Sequence, residues 1–104
     1  MVFRILHGQT GGVVRLMVFG EIDLAVHDQL RDGILGAVGT PGITAVVVDL
    51  GAVPMLDSGG IGILVAGRTA AQKHRIGYEV CRARWHIRNV LDAVGVLDVL
   101  TDAS

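Results

Sequence analysis

The chain has 104 residues, of which 51% are hydrophobic and 18% are charged, and its formal net charge at pH 7 is −1. This length predicts one domain, residues 1–104, whose core is built mainly from aliphatic side chains because only 4% of residues are aromatic. A net charge near zero provides no strong electrostatic attraction to nucleic acid or to an anionic membrane. We therefore expect protein partners. No run approaches the roughly 20 apolar residues that span a bilayer. With no signal-peptide core and a single cysteine, a cytoplasmic protein without a disulfide is expected.

The first half of the chain predicts a hairpin, a helix and a third strand. Residues 3–6 and 13–19 are β-rich runs on either side of a glycine-rich turn. An apolar stripe at four-residue spacing then predicts an amphipathic helix, with Asp23 as its N-cap. The stripe consists of Val26, Leu30, Ile34 and Val38. Residues 44–48 are almost all β-branched and predict a central strand that is buried on both faces.

The second half predicts two more helices and a further strand. A helix that begins near Ser58 is apolar almost all round in its first half, and residues 78–81 form a short strand. Apolar residues at helical spacing then predict a third helix that ends near Gly95. These residues are Ile87, Val90, Leu91 and Val94. Residues 96–100 form a last strand or a helical turn.

Strands that alternate with helices favour parallel crossovers, so the predicted fold class is α/β. We expect a single mixed sheet of four or five strands with helices packed against it. Three glycines, Gly33, Gly36 and Gly62, lie inside predicted helices, where each costs about 1 kcal/mol relative to Ala. Close packing of the helices on the sheet is the expected compensation.

The segment Leu56-Asp57-Ser58-Gly59-Gly60-Ile61-Gly62 is the most informative part of the chain, because it places a hydroxyl where a buried strand gives way to a helix. A serine there can cap the helix by accepting a hydrogen bond from its first turn. The same position suits a phosphate, because first-turn N–H groups and the helix dipole both favour an anion. Ser58 is therefore either a cap or a modification site.

Known catalytic and metal-binding patterns are not matched. A nucleophile elbow needs Gly two residues before the serine, and Leu56 stands there. A dinucleotide loop that starts at Gly60 would need a small residue where Val65 stands, and no Gly-Lys pair precedes a Ser or Thr. The four histidines and Cys81 lack metal-ligand spacing. The sequence therefore predicts neither an enzyme nor a metal site.

Three motifs in consistent order resemble one family. The segment Gly20-Glu21-Ile22-Asp23 follows the second strand, and the apolar strand residues 47–50 precede the serine motif, residues 55–62. Residues 90–96, Val-Leu-Asp-Ala-Val-Gly-Val, resemble the closing helix and glycine of the same family. Over nearly its whole length the chain thus resembles the STAS domain, the fold shared by bacterial anti-sigma factor antagonists and by the cytoplasmic tails of sulfate transporters.

The resemblance implies a partner switch. An unmodified antagonist binds an anti-sigma factor that is also a serine kinase and so frees a sigma factor, and phosphorylation of the hydroxyl after the motif aspartate reverses this. That hydroxyl corresponds to Ser58, and a protein serine phosphatase would restore it. The kinase would use ATP and Mg²⁺, so this chain needs no cofactor of its own. The next position, often Ser or Thr in the family, is Gly59, which leaves Ser58 as the only acceptor in the motif.

A second function is compatible with the same motifs. The chain can instead be a constitutive interaction subunit of a transporter ATPase, or a signalling scaffold, whose serine loop binds a partner but is never phosphorylated. The intact Asp57-Ser58 pair and the short chain favour the antagonist.

The predicted partner-binding surface includes residues of the first two motifs, residues 20–23 and 55–62, and one aromatic residue. Its members are Asp23, Asp57, Ser58, Gly59, Gly60 and Trp85. Asp23 is explained equally well as a helix cap, and Asp57 is a candidate to orient the hydroxyl. Trp85 lies outside the apolar stripe of its helix and is a candidate interface anchor.

Five other residues have simpler interpretations. Arg82, Arg84 and Arg88 form either a solvated helix start or a contact patch for an acidic partner. Cys81 is expected to be a small core residue, and Asp49 is expected to end its strand.

Overall fold

The computed structural model describes residues 3–101 and contains four strands and four α-helices. The strands are β1 (Arg4–Thr10), β2 (Val13–Phe19), β3 (Ala45–Ala52) and β4 (Gly77–Cys81). The helices are α1 (His27–Val38), α2 (Ser58–Lys73), α3 (Trp85–Ala93) and α4 (Leu97–Thr101), and a 3₁₀ turn, Leu24–Val26, leads into α1. The segment after Gly95 is therefore a helix. Within these residues no helix is both long and apolar enough to cross a bilayer.

The four strands form one mixed sheet in the order β1-β2-β3-β4. β1 runs antiparallel to β2, while β2, β3 and β4 are parallel to one another. The hairpin is longer than predicted, because Thr10 still pairs with Val13 and the turn contains only two residues. Gly11 takes a φ of +58° there, which glycine adopts without a steric cost. The predicted fold class and mixed sheet are confirmed.

The helices cover only one face of the sheet. Buried side chains of β2, β3 and β4 alternate along the strands, and they form one cluster with apolar residues of all four helices. In β3, Val46 and Val48 belong to this cluster, whereas Ala45 and Val47 are half-buried on the opposite face. The prediction that this strand is buried on both faces is wrong, because no helix within residues 3–101 lies over the second face. We call that second face the open face.

Asp49 is the one buried charged residue within the described part of the chain, and it lies on the open face. The prediction that Asp49 ends its strand is wrong, because β3 continues for three more residues, to Ala52. Its carboxylate binds Arg15 Nη2 at 2.8 Å and Arg82 Nε at 3.3 Å, and it accepts a hydrogen bond from the Gly51 amide at 2.8 Å. A buried carboxylate needs such partners, so Asp49 ties β2 to the segment after β4.

Close helix packing uses a different glycine from those predicted. A Cβ at Gly36 or Gly62 would meet nothing within 4 Å, so close packing does not explain these two residues. A Cβ at Gly33 would lie 2.9 Å from Ile5, at the end of a flexible side chain. A Cβ at Gly67 of α2 would lie 2.6 Å from both Ile34 of α1 and Tyr78 of β4. Gly67 therefore lets α2 approach its neighbours.

Candidate functional site

Two of the three sequence motifs meet at the amino end of α2. The residue Ile22 forms a parallel bridge with Leu56. The Ile22 amide donates to the Met55 carbonyl at 2.9 Å, and the Asp57 amide donates to the Ile22 carbonyl at 3.1 Å. The segment after β2 therefore holds the segment before α2, and Asp23 and Ser58 are brought to the same end of the sheet.

Asp57, not Ser58, caps α2. Its backbone is extended (φ −86°, ψ 174°), and its carboxylate accepts a hydrogen bond from the Gly60 amide at 2.7 Å. Ser58 is the first residue of the helix, is exposed, and its side chain makes no hydrogen bond to the described residues. The cap interpretation of Ser58 is therefore wrong, because a residue inside the helix points its side chain away from the first-turn amides. The hydroxyl is exposed and unpaired among the described residues.

His27, the first residue of α1, completes this site and was not predicted. Its Nε2 lies 2.8 Å and 2.9 Å from the two carboxylate oxygens of Asp57. This hydrogen bond, followed by that from Gly60, holds the pKa of the Asp57 carboxyl below its ordinary value. Both oxygens accept hydrogen bonds from His27 or Gly60, and the structure shows no hydrogen bond between the Ser58 hydroxyl and Asp57, which was a candidate to orient it. No local pattern marks His27, because its partner lies 30 residues away.

The two glycines after Ser58 are each required by a close neighbour. A Cβ at Gly59 would overlap Cε1 of the His27 ring, and a Cβ at Gly60 would overlap Leu56 and lie 2.6 Å from Ile22. Gly60 is buried, whereas Gly59 remains exposed beside Ser58. The departure from Ser or Thr at position 59 therefore has a steric cause in this chain.

The surroundings of a phosphate on Ser58 differ from the sequence prediction. The sequence predicts that first-turn N–H groups accommodate a phosphate, but the Gly60 amide already donates to Asp57. The Gly59 amide belongs to the first turn and has no partner within the helix. A phosphate would therefore be favoured by this amide and the helix dipole, and it would be opposed by the nearby Asp57 carboxylate.

Asp23 has the capping role that was one of its two predicted roles. It accepts a hydrogen bond from the Ala25 amide at 3.1 Å and caps the 3₁₀ turn, whereas α1 itself begins later, at His27. The next residue, Leu24, is 81% exposed. Its side chain is a large apolar group at the same end of the sheet as Ser58.

Trp85 is the first residue of α3 and is 73% exposed. Its ring meets the edge of the His86 ring, with 6.0 Å between centroids, and Nε2 of His86 lies 2.7 Å from the Pro54 carbonyl oxygen. The start of α3 is therefore tied to the segment that leads into Ser58. Met55 of that segment is also exposed, so exposed apolar side chains accompany Ser58. These are Leu24, Met55 and Trp85.

Two of the three arginines near α3 form contacts within the protein, which neither of their predicted interpretations included. Arg82 binds Asp49, and Nε of Arg84 donates to the Gly51 carbonyl at 3.4 Å, so both connect this segment to β3. Arg88 is exposed. Cys81 is half-buried on the open face, 3.7 Å from Arg15, and not in the core. Partial burial, the main cause, raises the pKa of its thiol.

The arrangement leaves the exposed Ser58 hydroxyl unpaired among the described residues, at the amino end of α2. Among residues 3–101 no group of three or more acidic, histidine or cysteine side chains is placed to hold a metal ion. The one histidine-carboxylate pair at the site, His27 and Asp57, is directed to a backbone amide and not to Ser58.

Comparisons of the sequence and the fold with known proteins agree with the resemblance to the STAS domain. The chain matches the family model of the STAS domain over residues 5–103. It is similar to the crystal structure of an anti-sigma factor antagonist from Mycobacterium paratuberculosis, with 28% identity, a TM-score of 0.77 and coverage of 95% of this chain and 83% of that one. No curated protein matches by sequence.

Two other structures share the fold. The phosphorylated form of the Bacillus cell fate determinant SpoIIAA is 20% identical, with a TM-score of 0.73 and coverage of 99% of this chain and 92% of that one. A sulfate transporter family protein from Wolinella succinogenes is 18% identical, with a TM-score of 0.74 and coverage of 88% and 73%. The order of motifs, the sheet and the family match agree, and the chain belongs to the STAS domain family.

Proposed function

We propose that this chain is an anti-sigma factor antagonist that binds an anti-sigma factor serine kinase and is switched off when that kinase phosphorylates Ser58. The observation that carries the proposal is the exposed, unpaired Ser58 hydroxyl on the first residue of α2. The similar antagonist from Mycobacterium paratuberculosis supports the same class of function. In this proposal the chain is a binding protein and a substrate, not an enzyme.

The proposed partner surface surrounds Ser58. Leu24, Met55 and Trp85 expose apolar area at the same end of the sheet, and large exposed apolar side chains are typical anchors of protein interfaces. Gly59 leaves the backbone beside Ser58 accessible to a partner. Asp23 and Asp57 act mainly by holding these segments in place, because each caps a helical turn.

The switch follows from electrostatics. Phosphorylation adds about −1.5 to −2 charges at pH 7, which must be desolvated when the surface is covered by a partner. A cost of a few kcal/mol weakens binding by roughly a hundredfold or more. In the free protein the phosphate stays in water at a helix amino end, so the fold persists. The kinase supplies ATP and Mg²⁺, and a protein serine phosphatase would reverse the change.

The first experiment is intact-mass analysis after incubation with Mg²⁺-ATP and each purified serine-kinase anti-sigma factor from the same cell. The wild type is expected to gain one phosphate and Ser58→Ala none. Thr69→Val is the matched control, because Thr69 is another exposed hydroxyl residue of α2. Binding to the kinase should weaken after modification, and a phosphate on Ser58→Ala would contradict the proposal.

The constitutive interaction subunit remains the second candidate, and the fold shared with the sulfate transporter family protein favours it. The same experiment separates the two. Tight binding to one partner without phosphate transfer from any kinase would favour a subunit of a transporter ATPase or a signalling scaffold.

A further inference from the structure

His27 makes two contacts at the acceptor segment, defined here as Asp57 to Gly60. Its Nε2 binds both oxygens of the Asp57 carboxylate, and its ring fills the space above Gly59 where a side chain would otherwise stand. The side chain is only 16% exposed. One residue of α1 thus contacts the acceptor segment on both sides of Ser58.

The acceptor segment needs such a contact because its own backbone is weakly restrained. Two consecutive glycines follow Ser58, and each glycine has more conformational freedom to lose than any other residue. Asp57 anchors the first turn by accepting hydrogen bonds from the Gly60 amide at its carboxylate and from the Ile61 amide at its carbonyl. His27 in turn contacts the Asp57 carboxylate, so α1 contributes to the placement of the first turn of α2 together with Ile22, which pairs with Leu56.

We propose that His27 is a positioning residue for Ser58, acting through Asp57 and the space at Gly59 to hold the acceptor segment in the conformation that a partner kinase recognises. The inference rests on the proposed phosphorylation. Because His27 contacts the cap and not the hydroxyl, it governs recognition of the segment and not the chemistry of phosphate transfer.

The kinetic test compares His27→Ala, His27→Gln and wild type as substrates of the kinase identified by mass analysis. His27→Ala is expected to raise KM about tenfold with kcat within about twofold, because the segment must then be ordered on binding. His27→Gln keeps an N–H donor near Nε2 and should restore most of the lost affinity. His74→Ala is the control, because His74 is an exposed histidine at the other end of α2.

A second measurement needs no kinase and follows amide hydrogen exchange in the free protein. Exchange at the Gly60 and Ile61 amides should accelerate in His27→Ala and stay near wild type in His27→Gln. Unchanged exchange, or an unchanged KM, would overturn the inference. If no kinase modifies the wild type but exchange accelerates as expected, the phosphorylation switch fails and His27 still positions the segment.

Size complementarity between His27 and Gly59 gives an independent check. Gly59→Ser should accelerate exchange at the same two amides, because its Cβ would overlap the His27 ring. In His27→Ala that overlap is absent, so adding Gly59→Ser should have little further effect. Additive effects of the two substitutions would contradict direct contact between these residues.

Discussion

His27 and Asp57 join the first turn of α1 to the first turn of α2, with His27 Nε2 placed 2.8 Å and 2.9 Å from the two Asp57 oxygens. The residues are 30 positions apart: His27 follows the motif of residues 20–23, and Asp57 lies within the serine motif, residues 55–62. Because Asp57 also caps α2 through Gly60, this pair decides the geometry around Ser58. Stability and its dependence on pH should therefore both respond to changes at Asp57.

Replacing Asp57 with Ala should destabilise the fold by about 1 to 2 kcal/mol, because an N-cap and its partner hydrogen bond are lost. Asp57→Asn keeps an acceptor for the Gly60 amide and should cost less. Urea denaturation measures both. Asp28→Ala is the control, since Asp28 forms only an exposed pair with Arg31 and should change the free energy of unfolding by no more than about 0.5 kcal/mol.

Acid should remove the contribution of Asp57 to the free energy of unfolding. Its pKa in the folded protein lies below the ordinary 3.8, so the folded state favours the charged carboxylate. The stabilisation is then complete above the unfolded pKa and is lost as the pH falls from there through the folded pKa. The difference in unfolding free energy between wild type and Asp57→Asn should be present at neutral pH and should shrink as the pH falls below about pH 4. A difference that stays constant into that acid range would contradict the assignment.

Two glycine substitutions should have opposite effects. Gly67→Ala should destabilise the protein by about 1 to 3 kcal/mol, because the new methyl group would lie 2.6 Å from Ile34 and Tyr78 in a packed core. Gly36→Ala should stabilise it by up to about 1 kcal/mol, since the position is helical and nothing lies within 4 Å. Thermal unfolding of the two variants compares them directly, and equal effects would show that helix propensity alone decides both.

Asp49→Ala should destabilise the protein by about 1 to 3 kcal/mol, because the Gly51 amide loses its acceptor and two arginines lose their shared partner. Asp49→Asn retains the acceptor for Gly51 and should recover part of the loss. Glu79→Ala is the control on the neighbouring strand, because the Glu79 side chain makes no hydrogen bond or ion pair with the described residues. Chemical denaturation measures each variant, and equal losses for Asp49→Ala and Glu79→Ala would argue against the network.

Trp85→Ala tests the proposed partner surface. Because the side chain is 73% exposed, the free energy of unfolding should change by no more than about 0.5 kcal/mol. An interface anchor of this size contributes about 2 kcal/mol, so Kd for the partner kinase should rise roughly thirtyfold. Val94→Ala is the control, as Val94 is exposed at the other end of α3. Calorimetric titration measures both, and an unchanged Kd for Trp85→Ala would remove this residue from the surface.

The sequence by itself determined the order of strands and helices from β1 to α3, the α/β class and the place of Ser58 at the junction of β3 and α2. These depend on local patterns: apolar spacing along α1 and α3, glycine at turns, and β-branched runs in β3. The resemblance to the STAS domain family was carried by three motifs, residues 20–23, 55–62 and 90–96. Such local patterns can be recognised in a sequence because each involves residues that are close together along the chain.

The tertiary structure alone decided which face of β3 is covered, which residue caps α2 and which residue supports that cap. Half-buried Val47, buried Asp49 and the contact of His27 with Asp57 all depend on groups that are distant in sequence. A β-branched run does not reveal whether one face or both will be covered, since that depends on where the helices dock. The role of His27 likewise had no local signal, because a histidine becomes a cap support only when the fold brings a carboxylate within hydrogen-bonding distance.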